Sequence, residues 1–71
     1  MLRLGRYRHY SGKEYSLVGI AKHSENHEDL VVYRPLYDND VSQLWVRPLA
    51  MFIEEVEING KKVPRFAYIG P

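Results

Sequence analysis

The sequence has no cysteine, only one tryptophan and no long apolar run among its 71 residues. Without cysteine the chain can form no disulfide, no thiolate metal site and no thiol nucleophile, and it suits a reducing compartment. A helix that spans a bilayer needs roughly 18 to 20 apolar residues. The first residues, 1–6, also lack the apolar stretch of a secretory signal peptide. We therefore expect a cytoplasmic protein that has no membrane partner.

The net charge is small as well, at +1, so it argues neither for nor against a nucleic-acid partner. The distribution of the cations is more informative, because they cluster near both ends of the chain. In small β-barrels the first and last strands are neighbours, so the two clusters would share one side. Such a basic patch could hold phosphates, but we favour a solvated edge whose charge prevents strand-to-strand association. The basic patch consists of Arg6, Arg8, Lys61, Lys62 and Arg65.

Short β-prone runs separated by turn residues account for almost the whole chain. Residues 23–29 are a polar loop, and no helical periodicity interrupts the pattern. Ser11-Gly12 and Asn59-Gly60 are hairpin signals, and Gly19 is a natural place for a bend or bulge within a long strand. The expected strands cover residues 5–10, 14–22, 30–37, 44–47, 52–58 and 61–69.

Pro48 marks the one helical segment that we expect. Its fixed φ favours a single helical or 3₁₀ turn near residues 48–52, between two strands. A chain of this length forms one domain, and regular short strands are typical of barrels and sandwiches. We therefore predict a single all-β domain, residues 1–71, built as a small Src-homology-3-like barrel of five or six short strands.

Four ordered motifs are distinctive: GRYRHYSG at 5–12, AKHSE at 21–25, VVYRPLY at 31–37, and LWVRP at 44–48 followed by Met51-Phe52. Together they resemble the bacterial domain-of-unknown-function family 1653, over about residues 5–69. The resemblance implies a Src-homology-3-like barrel in a short bacterial protein that usually stands alone. It implies no activity and no cofactor, because the family has no assigned function, and no catalytic residue can be transferred.

His9 and the run His23-Ser24-Glu25 come closest to a catalytic constellation. A histidine beside a carboxylate and a hydroxyl can support general acid–base chemistry. We favour the interpretation in which His23 anchors its loop through local hydrogen bonds and His9 lies opposite Glu14 across the first hairpin. The spacing of His23 and His27 suits a metal site on a helix rather than in a loop. We assign no catalytic residue, metal ligand or cofactor.

Trp45 has two interpretations. Trp45 and Arg47 point the same way on one strand and could form an exposed cation–π platform. Alternatively, Trp45 is the largest core residue of a small domain, and this is the interpretation that we favour. In that case Trp45 and Phe52, which flank the expected turn, bury most of their area against Leu17 or Val18.

Six tyrosines are too many for the core of so small a domain, so part of the aromatic surface must be exposed. We predict a non-enzymatic binding module that presents aromatic and basic residues to a peptide or another macromolecule. Its candidate binding surface consists of Tyr7, His9, Tyr10, His23, Glu25, Tyr33 and Arg47. Two alternatives stay open: a nucleic-acid-associated domain that uses the basic patch, and a small enzyme that uses His9, His23 and Glu25.

Overall fold

The computed structural model describes residues 2–71, which form seven strands and one short helix. The strands are β1 (Gly5–His9), β2 (Glu14–Lys22), β3 (Asp29–Pro35), β4 (Trp45–Pro48), β5 (Glu55–Ile58), β6 (Lys61–Pro64) and β7 (Phe66–Gly70), and α1 (Leu49–Phe52) lies between β4 and β5. The predicted all-β class and the predicted helical turn after Pro48 are confirmed. No helix within residues 2–71 is long and apolar enough to cross a membrane.

Five strands form one antiparallel sheet in the order β4-β3-β2-β1-β7, and β5 and β6 form a separate hairpin. There are more strands than the predicted five or six because residues 61–69 divide at Arg65. As a result β6 pairs with β5, whereas β7 pairs with β1. The last residue of β6 is Pro64, which has no N–H to donate to a longer ladder. The larger sheet ends at β4 and β7, so closure into a Src-homology-3-like barrel stays a prediction.

Two local features predicted from the sequence, a tight turn and a β-bulge, are present in the structure. Asn59 and Gly60 have φ angles of 51° and 80°, the left-handed pair that a tight two-residue hairpin requires. The pairing of β2 with β3 shifts register between Leu17 and Gly19, which leaves Val18 as the extra residue of a bulge. The predicted hairpin and the predicted bulge beside Gly19 are therefore confirmed.

The first hairpin turns one residue earlier than we expected. The backbone N–H of His9 donates to the carbonyl of Lys13 at 2.8 Å, so the loop contains three residues, 10–12. Arg8 therefore pairs with Glu14. The prediction that His9 lies opposite Glu14 is wrong, because it assumed a two-residue loop.

The core is mostly aromatic, and Phe52 of α1 is at its centre. The Phe52 ring is 1% exposed and stacks on Phe66, with ring centroids 4.2 Å apart. Trp45 is only half-buried and packs against the core from one side, while Val18 is exposed. The expected burial of Phe52 is confirmed, and of the two expected packing partners Leu17 belongs to the same buried cluster whereas Val18 does not. The buried core residues are Tyr7, Leu17, Val31, Tyr33, Phe52 and Phe66.

Candidate functional site

A cavity of about 160 Å³ lies beside the core, on the face of the sheet where β2, β3 and β4 present their inward side chains. Tyr33 of β3 is paired with Leu17 of β2 and with Trp45 of β4. Because alternate residues of a strand share a face, Arg47 points to the same side as Trp45. The residues that line this cavity are called the tyrosine cleft below: Tyr15, Tyr33, Tyr37, Trp45 and Arg47.

The three tyrosine rings of the tyrosine cleft hold one another in place. Tyr15 packs edge-to-face on Tyr33 and on Tyr37, with ring centroids 5.2 Å and 5.6 Å apart. The hydroxyls of Tyr15 and Tyr37 are 3.1 Å apart and share a hydrogen bond. Burial, followed by this hydrogen bond, raises the pKa of Tyr15 above its ordinary value. The Tyr15 phenol therefore stays protonated at neutral pH and adds no negative charge to the cleft.

Arg47 brings a positive charge into the tyrosine cleft. Its side chain is half-buried, its guanidinium carbon lies 5.4 Å from the centroid of the Phe66 ring, and its Nε donates to the hydroxyl of Tyr33 at 3.3 Å. No ion pair between residues 2–71 includes Arg47. A partly desolvated guanidinium that has a phenol instead of a carboxylate beside it keeps unused donors.

Trp45 forms part of the wall of the tyrosine cleft. The indole packs against the core, as the favoured interpretation expected, and part of it lines the cavity. Arg47 lies over the Phe66 ring, so Trp45 and Arg47 do not form the exposed cation–π platform of the alternative interpretation. The Trp45 Nε1 is buried and has no hydrogen-bond partner among residues 2–71. Because a water-sized group in the cavity does not touch this atom, the Nε1 belongs to the packed wall and is not a donor to a ligand.

The candidate binding surface predicted from the sequence is not one continuous surface. Its members are divided among the core (Tyr7), the tyrosine cleft (Tyr33, Arg47), the first hairpin (His9, Tyr10) and the β2–β3 loop (His23, Glu25). Tyr7 is 4% exposed, so its assignment to a surface is wrong. Sequence reasoning missed Tyr15 and Tyr37. The alternation of strand residues could have indicated both tyrosines. Tyr15 and Tyr37 lie two residues from Leu17 and Pro35, which are buried, and alternate residues of a strand share a face.

His9, His23 and Glu25 do not converge. His9 ends β1 beside the start of β2, whereas His23 follows the end of β2, so a strand of nine residues separates them. The His23 Nδ1 accepts a hydrogen bond from the backbone N–H of Glu25 at 3.1 Å, which confirms His23 as a loop anchor. This separation contradicts the arrangement that the small-enzyme alternative requires. Among residues 2–71, no three histidine, aspartate or glutamate side chains gather closely enough to hold a metal ion.

His9 forms a hydrogen bond within its own hairpin, and charged residues outside that hairpin affect its pKa. Its Nδ1 accepts a hydrogen bond from the backbone N–H of Ser11 at 3.1 Å. Burial lowers the pKa of His9, and the positive charges of Arg47 and Arg65 lower it further. The electrostatic field of the tyrosine cleft therefore extends to the first hairpin.

The basic patch is less positive than its composition indicates. The predicted proximity of the first and last strands is confirmed, because β1 pairs with β7. However, Arg8 forms an ion pair with Glu14 at 3.0 Å, and Arg65 forms one with Glu54. The side chain of Arg65 is also only 19% exposed. Two of the five cations are thus neutralised by neighbouring carboxylates.

A row of two arginines across the outer face of the sheet was not predicted. Arg6 of β1 lies opposite Ser16 of β2, which in turn lies opposite Arg34 of β3. Both arginines are exposed. The row adds one cation, Arg34, that sequence reasoning did not group with the basic patch.

A second, larger cleft of about 360 Å³ lies between the first hairpin and the strands β6 and β7. His9 and Tyr10 border it, and its other walls are mostly apolar, including Ile58, Val63 and Ile69. None of the residues that line it has a buried polar side-chain atom without a partner. Greater volume alone does not indicate recognition, so we regard the tyrosine cleft as the stronger candidate.

The comparisons with known proteins agree with the motifs noted in the sequence. This chain is similar to a protein belonging to DUF1653 from Bordetella bronchiseptica, whose crystal structure is known. The two are 39% identical, with a TM-score of 0.92, over 97% of this chain and 88% of that chain. No curated protein matches the sequence. The model of the family "Protein of unknown function (DUF1653)" matches residues 5–68, nearly the whole chain, and this protein therefore belongs to the DUF1653 family.

Proposed function

We propose that this protein is a non-enzymatic binding module whose recognition site is the tyrosine cleft. The observation that carries the proposal is that the half-buried guanidinium of Arg47 lines a cavity walled by three interlocked tyrosine rings, while its terminal nitrogens have no hydrogen-bond or ion-pair partner among residues 2–71. Partial burial weakens the hydration of this charge, so an acceptor that enters the cavity would gain a charge-assisted hydrogen bond.

The shape of the tyrosine cleft suits a binding role. Ligand sites are concave, largely lined by apolar and aromatic side chains, and contain a few polar groups that set orientation. The tyrosine rings of the cleft are fixed by edge-to-face contacts, so little side-chain entropy is lost when a ligand binds. A cavity of about 160 Å³ accepts one chemical group rather than a whole macromolecule.

Exposed apolar side chains occur in the chain segments that flank the cleft residues: Leu36 precedes Tyr37, Leu44 precedes Trp45, and Val41 lies in the loop between them. We expect these segments to contact the rest of a peptide or another macromolecule. The cytoplasmic location of the module stays a prediction from the sequence.

The nucleic-acid alternative is the second candidate, and the row of Arg6, Ser16 and Arg34 is the observation that favours it. It has less support than the tyrosine cleft because Arg8 and Arg65 already have carboxylate partners. Phosphate contacts require cations that are free to replace counterions.

Nuclear magnetic resonance tests the proposal directly, because Trp45 is the one tryptophan of the chain and gives a single indole N–H signal. Short peptides of mixed sequence would be titrated into the labelled protein. We expect binding peptides to shift the indole signal of Trp45 and to lose affinity in an Arg47→Gln variant. An Arg34→Gln variant is the matched control and should bind as the wild type does. Peptides that bind but move only signals of the outer sheet face would place the site elsewhere and contradict the proposal.

A further inference from the structure

We infer that the group recognised in the tyrosine cleft is a carboxylate, held by the guanidinium of Arg47. The inference rests on the proposed function and adds the chemical class of the ligand. It follows from the charge, the donor geometry and the size of the cleft.

The charge of the tyrosine cleft favours an anion. Arg47 is the one residue lining the cavity that is ionised at neutral pH, because the others are tyrosines and a tryptophan. Tyr15 stays neutral, since burial raises its pKa. A carboxylate balances the charge of Arg47, and the Lys13 ammonium, 4.5 Å from the centroid of the Tyr37 ring, adds a second positive charge near the cleft. A phosphate monoester carries a charge of about −1.5 to −2 at pH 7 and would lose more hydration among the aromatic walls than a carboxylate does.

The donors that remain in the cleft fit the two oxygens of a carboxylate. The Nε of Arg47 already donates to Tyr33 at 3.3 Å, so the terminal nitrogens of the guanidinium are the pair left for a ligand. This planar fork matches a carboxylate in a two-point hydrogen bond. A neutral amide would bring its own N–H donors against these donors and should be rejected.

The size of the cleft limits what carries the carboxylate. Its volume of about 160 Å³ equals that of roughly five water molecules. This accommodates a carboxylate and a short stem but not a large ring system. Two sources of this chemistry fit: the free C-terminus of a peptide, and a small organic acid.

Fluorescence of Trp45 provides the test, because the intrinsic signal comes from within the cleft. The wild-type protein would be titrated at constant ionic strength with two matched pairs, benzoate against benzamide and N-acetylglycine against N-acetylglycinamide, and with inorganic phosphate. We expect each acid to bind at least about tenfold more tightly than its amide, as expected when a charged hydrogen bond is lost. Phosphate should bind more weakly than the acids. These comparisons need no variant, so they do not depend on the folding of a mutant.

Two variants assign the selectivity to the guanidinium. In Arg47→Gln the preference for acid over amide should disappear, while thermal unfolding shows that the domain is still folded. In Arg47→Lys, which keeps the charge but not the planar fork, we expect an intermediate preference. Arg34→Gln on the outer face should keep the full preference. A preference that survives in Arg47→Gln would overturn the inference.

The outcomes separate the inference from the proposed function. If amides or phosphate bind as tightly as the acids, the inference that the ligand is a carboxylate is wrong, but the cleft remains the binding site. If no probe shifts the Trp45 signal up to about 10 mM, well above a weak Kd of about 1 mM, the inference is overturned. The peptide titration described above then decides whether the proposed function also fails. Tighter binding of peptides with free C-termini than of the small acids would identify a peptide C-terminus as the source of the carboxylate. Equal affinity would identify a small organic acid as the source. Both results support a carboxylate ligand.

Discussion

The Nε of Arg47 donates to the hydroxyl of Tyr33 at 3.3 Å, across the neighbouring strands β4 and β3. Tyr33 is 5% exposed, and its ring lies against Phe52 and Phe66 in the core. One residue therefore belongs to both the core and the tyrosine cleft. The orientation of the Arg47 guanidinium in the cleft therefore depends on how the core packs around Tyr33.

A Tyr33→Phe variant should show this dependence. The change keeps the ring in the core but removes the acceptor for the Arg47 Nε, so we expect a loss of about 1 kcal/mol in the free energy of unfolding. The expected loss in the free energy of unfolding is small because Arg47 is half-buried, so water can replace part of the hydrogen bond. Urea denaturation measures it. Tyr10→Phe, at a residue whose side chain is 48% exposed, is the control and should leave the midpoint unchanged; equal midpoints for both variants would show that the bond adds no stability.

Phe52 should be among the most sensitive positions in the domain. Its ring is 1% exposed and stacks on Phe66, and removal of a buried aromatic side chain typically costs about 3–5 kcal/mol. A core of this size rarely supplies more than about 3–5 kcal/mol in total, so we expect Phe52→Ala to be largely unfolded. Thermal unfolding followed by circular dichroism measures this. Val46→Ala, at an exposed position, should unfold as the wild type does, and a cooperative transition of Phe52→Ala close to that of the wild type would refute the assignment.

Features of the fold that depend on neighbouring residues were predictable from the sequence. The turn at Asn59-Gly60 and the helical turn after Pro48 each follow from backbone preferences of one or two residues. The first hairpin differed because nothing in the local sequence distinguished a two-residue loop from the three-residue loop observed at 10–12. That single residue decides whether His9 or Arg8 lies opposite Glu14.

The tyrosine cleft was only partly predictable because it depends on register between distant strands. The motif residues Tyr33 and Arg47 were recognised as candidates, but Tyr15 joins them through the pairing of β2 with β3, which contains the bulge at Val18. The orphaned Nε1 of Trp45 depends on packing that no local pattern encodes. Alternation within one strand can be read from a sequence, whereas the offset between strands is set by loops and bulges.

We expect the basic patch to bind nucleic acid only weakly. Arg8 and Arg65 are already paired with Glu14 and Glu54, so few cations can replace the counterions of a phosphate backbone. Fluorescence anisotropy with labelled single- and double-stranded DNA and RNA should show little binding at about 0.15 M salt. Tight binding that falls steeply with salt, and that is abolished when both Arg6 and Lys62 are changed to Glu, would contradict this expectation and favour the nucleic-acid alternative.

The stability of the domain should decrease as the pH falls below the ordinary pKa of histidine, because of His9. Burial and the charges of Arg47 and Arg65 lower the pKa of His9 in the folded state, whereas in the unfolded chain it is about 6.5. The unfolded state therefore binds more protons between the folded pKa and about pH 6.5. The contribution of His9 is complete above that pH and is lost as the pH falls through the folded pKa. Protonation of Nδ1 also removes the acceptor that holds the Ser11 N–H at 3.1 Å.

Urea midpoints measured from about pH 7.5 down to about pH 5, the range in which histidine titrates, test the role of His9. In His9→Asn the side-chain oxygen can still accept from the Ser11 N–H but cannot titrate, so the midpoint should depend less on pH than in the wild type. His27→Asn is the matched control, because His27 is exposed and has a φ of 60°, which asparagine tolerates well. This variant should keep the pH dependence of the wild type. If His27→Asn rather than His9→Asn flattens the profile, the lowered pKa of His9 is not the cause of the pH dependence.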